Sequence, residues 1–234
     1  MKLLNRNFQI KWNIFKRNKY MWFYLLFNYI FLALIDKKGH IFLENNFLYA
    51  YRFISQQLYI VFTLIFFINI FINEKFMKII KNFMIIYIEE IRKELRTIII
   101  FSIFINILMF LFGQIFLGTV NFIYFSNIPI HFLIANFLAI SIEIITMIFL
   151  ITGIRLLFRK SIFVYSIYYV YILLSLSINN IWITTPLTIK LLEEIMREYH
   201  YNFGIKLWLS RIFLLLIAVF IYLLGEKKFI KNLN

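Results

Sequence analysis

The chain has 234 residues, 63% of them hydrophobic, with a mean hydropathy of +0.84 and a formal net charge of +14. Six apolar stretches of roughly 20 residues would take up about half of that length, which leaves no room for a large soluble domain beside them. There is no cysteine, and His40, His131 and His200 stand at no metal-ligand spacing, so disulfides, thiolate metal sites and a histidine metal centre are excluded as expectations.

Residues 2–18 place Leu4, Phe8, Trp12 and Phe15 on one helical face, with Arg6, Asn13 and Arg17 opposite. That pattern predicts an interfacial helix over 1–19, lying on the inner leaflet. The first apolar span is 20–35. It ends Leu32-Ala33-Leu34-Ile35-Asp36, with no small-x-small cleavage site, so the segment reads as a retained helix and not a cleaved leader. The second span is 54–72, and Gln56 and Gln57 blur its start. Residues 74–97 are too charged to cross a bilayer. They predict one or two cytoplasmic helices, with Glu89 and Lys93 placed to pair at i,i+4.

Spans three and four are 98–118 and 132–154, and the fourth carries Glu143 near its middle. A charge at that depth costs about 2.5–3.5 kcal/mol even on insertion scales, so the residue is expected to face a bundle interior or a wet cavity. Asn136, Ala139, Glu143 and Thr146 fall within about 80° of arc on an ideal helix, a small and polar face suited to packing on protein. The functional reading places Glu143 on a translocation path or in a gating contact. The bland one makes it a buried structural carboxyl. Span five is 161–182. Residues 186–203 form a predicted amphipathic helix on the outer surface, with Thr185 and Pro186 at its start and Gly204 at its stop. Span six is 207–224 and carries Arg211, the one basic residue inside a span and the available counter-charge for Glu143. Asn69, Asn106 and Gln114 are read as amides that hydrogen-bond within the bundle.

Eighteen lysines and arginines fall on one side of this arrangement, in the N-terminal tail, in 74–97, in Arg155, Arg159 and Lys160, and in the C-terminal tail. Six fall on the other: Lys37, Lys38, Arg52, Lys190, Arg197 and Lys206. The asymmetry predicts that both termini are cytoplasmic. Basic residues that flank apolar spans point to anionic membrane lipids as their counter-charge, not to nucleic acid. The fold class expected is therefore an all-α polytopic membrane protein. It has one transmembrane domain over 1–234, with six transmembrane helices and an N-terminal interfacial helix.

Catalytic and nucleotide motifs are absent. Gly113 and Gly118 have the spacing of a phosphate loop, but Thr119-Val120 follows where Lys-Ser/Thr is required, and neither HExxH nor GxSxG occurs. No cofactor and no catalytic residue is expected.

The layout is similar to that of the ABC-2 type of ABC transporter permease over nearly the whole chain. The local stretch that carries the resemblance is Glu74-Lys75, then Lys78 to Asn82, then Glu89 to Arg96. The resemblance implies that 74–97 is a coupling region that docks into a cytoplasmic ABC ATPase. Glu74, Lys75, Lys78, Lys81, Glu89, Glu90, Arg92, Lys93 and Arg96 would be its contact residues. It implies a second permease subunit, identical or not, and a place in a bacterial cell membrane. The function expected is the permease subunit of an ATP-driven exporter of an amphipathic, peptide or lipid-like substrate, with hydrolysis in a partner chain. The alternatives weighed are a substrate-capture subunit of a vitamin uptake system, an intramembrane enzyme, and a non-transporting immunity or scaffold protein. Asn136, Glu143, Thr146 and Arg211 are the candidate pathway or intramembrane polar residues.

Overall fold

In the computed structural model the described residues are 9–13, 16–17, 64–65, 68, 71–72, 88–120, 130–158, 160–177 and 205–232. Four long helices account for most of them: α1 (Ile88–Val120), α2 (Ile130–Leu157), α3 (Ser161–Ser177) and α4 (Ile205–Lys231). Residues 9–13, 16–17, 64–65, 68 and 71 are also helical, and no strand occurs among the described residues. The expected segments 20–35 and 186–203 lie outside them, as does most of 54–72.

The helix α2 is the hub, because α1, α3 and above all α4 pack against it. Its connection to α3 is only residues 158–160, and so short a link makes consecutive helices antiparallel neighbours. The pairing of α2 with α4 is parallel. Glu143 meets Arg211, and further along Gly153 meets Tyr222 and Gly225, so both helices advance in one direction.

This parallel contact depends on two glycines. A Cβ added at Gly153 would lie 2.7 Å from the Tyr222 backbone nitrogen. One added at Gly225 would lie 2.5 Å from the Gly153 carbonyl oxygen. The two backbones touch here, and a side chain at either position would have to push them apart. The buried stripe of α4 runs Ser210, Arg211, Leu214, Ala218, Tyr222, Gly225, Glu226 and Phe229, the spacing of one helical face.

The opposite face of α4 is apolar and exposed, with Leu209, Ile212, Phe213, Leu216, Ile217, Phe220, Leu223 and Leu224. This inverts the arrangement of a helix on a water-soluble core, where the polar side faces out. The stretch Trp208–Lys231 has a mean hydropathy of 2.2 and is long and apolar enough to cross a membrane. A soluble core helix passes the same length test, but it is mostly buried, whereas only 33% of this one is. Among the described residues it is the single helix that meets the criterion of length and composition. On α3 the pattern repeats: Val164 and Tyr168 are buried, while Ile162, Phe163, Val170, Leu173 and Leu174 are exposed.

The expected spans 98–118, 132–154 and 207–224 each fall within one continuous helix; of 161–182, residues 161–177 are helical and 178–182 lie outside the described residues. Two boundaries differ from expectation. Residues 88–97 are not part of a separate cytoplasmic helix but form the first turns of α1. Ile91, Leu95 and Ile98 continue its buried stripe through the charged region without a break, and no glycine or proline intervenes before Gly113. Likewise α4 does not stop near 224 but runs to Lys231, because Gly225 serves the contact with Gly153 and Phe229 and Ile230 remain buried beyond it.

The glycine contact yields a test. Gly153→Val should lower stability by about 1–3 kcal/mol, the usual range for overpacking. An exposed substitution on the same helix pair, Leu216→Val, should change it by less than about 0.5 kcal/mol. Denaturant midpoints of the detergent-solubilised protein measure the difference.

Candidate functional site

The most unusual chemistry in the structure is a buried ion pair between α2 and α4. Arg211 Nη1 donates to Glu143 Oε2 at 3.0 Å, with side-chain exposures of 1% and 6%. Both charges sit at the helix interface because each belongs to a buried stripe: Glu143, Thr146 and Leu150 on α2, and Arg211, Leu214 and Ala218 on α4. The two side chains reach one another although they are 68 positions apart in sequence. The charges of both groups are felt at Tyr171 of α3.

The pair is only partly saturated. Among the described residues, Glu143 Oε1 and Arg211 Nε and Nη2 have no hydrogen-bond partner. A guanidinium can offer five donors and a carboxylate two oxygens, so a single 3.0 Å bond leaves capacity for another polar group at this interface. Thr146, expected on the same face, is buried but donates to the Ile142 carbonyl of its own helix at 2.8 Å. The backbone of Asn136 lies in α2. Asn106, read as a bundle amide, donates to the Ser102 carbonyl one turn back at 2.8 Å.

A second group of polar contacts gathers at one end of the helices. Arg92, in the first turns of α1, pairs with Glu226 near the end of α4 at 3.1 Å. Lys11 is buried in an ion pair with Glu94, so the N-terminal helical segment is docked on α1. Trp12 adds an edge contact with Phe101 at 6.5 Å. Arg155 is fully buried at the end of α2. Its Nε donates to the Ile72 carbonyl at 2.9 Å and its Nη1 to the Phe158 carbonyl at 3.5 Å. Carbonyls at helix ends lack intrahelical partners, and one guanidinium here serves two such ends. Lys228 of α4 sits over the Phe158 ring at 5.9 Å, joining the ends of α2 and α4.

The expected coupling residues divide between these observations. Glu89, Glu90 and Lys93 are exposed in the first two turns of α1, Arg96 is exposed one turn further, and Arg92 is the partner of Glu226. Glu74, Lys75, Lys78 and Lys81 lie outside the described residues. Sequence reasoning missed Glu94, Arg155, Glu226 and the two glycines. A signal existed for Glu226: it continues the 211–218–222 spacing of α4. Among the described residues no group of three His, Cys, Asp or Glu is arranged to hold a metal ion.

The pair predicts an asymmetric mutational cycle. Glu143→Gln or Arg211→Met alone strands a buried charge and should cost about 3–5 kcal/mol. Glu143→Gln combined with Arg211→Met should cost clearly less than the sum of the two single changes. Unfolding midpoints of the three variants against the parent measure the coupling.

Comparison of the chain with protein-family models, with curated proteins and with solved structures finds no match.

Proposed function

We propose that the chain is a six-span permease subunit of an ATP-driven exporter, with both termini in the cytoplasm of a bacterial cell. Cargo would be amphipathic, peptide or lipid-like, hydrolysis would reside in a separate ATPase, and a second permease subunit would complete the pathway. The observation that carries the reading is the construction of α1. Its charged first turns, Glu89 to Arg96, and its apolar length form one uninterrupted helix. A push on the charged end would therefore reach the bundle through a rigid rod and not through a flexible loop.

The contacts at that end support the same reading. Residues 11, 72, 92, 94, 155, 158, 226 and 228 are linked there through Lys11–Glu94, Arg92–Glu226, Arg155–Ile72 and Lys228–Phe158. These belong to the segments that the charge asymmetry assigns to the cytoplasmic side. Movement of α1 would carry the N-terminal helix and the end of α4 with it. The parallel α2–α4 unit, held by Glu143 and Arg211, is the element whose shift would open or close a path.

The absence of cysteine from the sequence makes topology directly measurable. Single cysteines at 93 and 231 should react with a membrane-impermeant maleimide only after the cells are opened, and cysteines at 38 and 190 should react in intact cells. Labelling of position 93 from outside would overturn the proposal. Affinity purification from native membranes should bring down an ATPase. Glu89→Lys with Lys93→Glu should reduce its recovery by about tenfold, the loss expected when charge complementarity at an interface is reversed. A chain that purifies without an ATPase and holds a small ligand tightly would favour the substrate-capture reading instead.

A further inference from the structure

A stripe of α1 leads from charge to hydrocarbon. Arg92, Arg96, Ile100, Phe104 and Leu111 follow one another at helical spacing, and all are exposed. Arg92 keeps 49% of its side chain exposed even while paired with Glu226. Arg96, one turn along, has no ion-pair partner among the described residues, and its charge is felt at Tyr222 on α4.

The depth of this stripe is marked independently. Trp12 contacts Phe101, and Lys16 lies over the Trp12 ring at 5.2 Å. Tryptophan seeks the boundary between headgroups and acyl chains. Its contact with Phe101 places that boundary beside the turn of α1 that joins Arg96 to Ile100. The guanidinium of Arg96 then sits at headgroup height, and Ile100 and Phe104 face the acyl region below it. Lys93, Lys227 and Lys228 are exposed at this end, and together with Arg92 and Arg96 they outnumber Glu89, Glu90 and Glu226, so the cluster stays positive.

We propose that the inner end of α1 binds the phosphate headgroup of an anionic phospholipid, with Arg96 as its principal ligand. A guanidinium fork matches phosphate oxygens two at a time. Arg92 flanks the site and is held in place by Glu226. One acyl chain runs along Ile100 and Phe104. The lipid is a fixed component of this surface, seated where the N-terminal helix meets α1. The proposal needs only that α1 lies in a membrane and is independent of the exporter reading.

The test uses the full chain purified in detergent. Mixed micelles containing phosphatidylglycerol or phosphatidylcholine are added, and retained lipid is counted by native mass spectrometry. Phosphatidylglycerol should be retained about fivefold over phosphatidylcholine, the factor expected from about one surface cation–headgroup interaction. Arg96→Gln should remove that preference, while Lys231→Gln, exposed in the last turn of α4 beyond Glu226, should keep it. Inorganic phosphate at the same concentration should displace nothing. Equal retention of the two lipids, an unaltered preference in Arg96→Gln, or displacement by inorganic phosphate would each overturn the proposal. An Ile100→Cys protein carrying a photoreactive label gives a readout with Arg96 intact. It should cross-link phosphatidylglycerol in preference to phosphatidylcholine, and equal labelling counts against the site.

Discussion

A guanidinium and a carboxylate buried between two helices cannot stand apart in an apolar interior. The penalty for an uncompensated buried charge is several kcal/mol, so Glu143 and Arg211 constrain α2 and α4 to lie side by side in register. The remaining geometry follows from that registration. Ten residues beyond Glu143, Gly153 reaches the level of Tyr222, and the absence of a side chain there lets the backbones meet. One end of the contact is thus set by charge and the other by shape. Neither would position the helices alone: the pair permits rotation about its bond, and the glycines permit sliding along the groove.

The inverted surface of α4 has the same origin. Polar and small residues occupy the interior stripe because they carry the specific contacts, and the large aliphatic and aromatic residues are left outside. In water such a surface would drive aggregation. In hydrocarbon, where apolar burial gives no advantage to a helix interface, packing of small residues and polar bonds is what holds helices together. The same logic explains why the charged contacts among described residues are concentrated at one end: Lys11, Arg92, Glu94 and Glu226 lie beyond the apolar lengths of the helices, where water can solvate what the pairs leave exposed.

The long helices were legible because uninterrupted apolar runs leave few alternatives, and Glu143 and Arg211 stood out because charges are rare in such runs. Their mutual contact was less so, since helical spacing places each residue on a face but does not say which faces meet. Residues 88–97 were read as separate from the span that follows because charge dominates their composition, yet Ile91, Leu95 and Ile98 continue a single buried stripe. Glu94 and Lys11 looked like two charges among many. Gly153 and Gly225 were invisible for a different reason: a glycine inside a helix announces only a missing side chain, and its value appears when the opposing backbone is in place. On the candidate site, both ion-pair partners were legible in the sequence as the charges inside spans four and six.

The parallel course of α2 and α4 has a consequence for biosynthesis. Two helices that run the same way cannot be neighbours in a hairpin, so Arg211 emerges 68 residues after Glu143. At ordinary translation speeds of about 5–20 residues per second, that separation is roughly 3–14 s. Throughout that interval the acidic helix has been made and its basic mate has not. Until α4 has been made, Glu143 has no Arg211 to meet. The order in which the ribosome delivers the two groups becomes part of how the bundle closes.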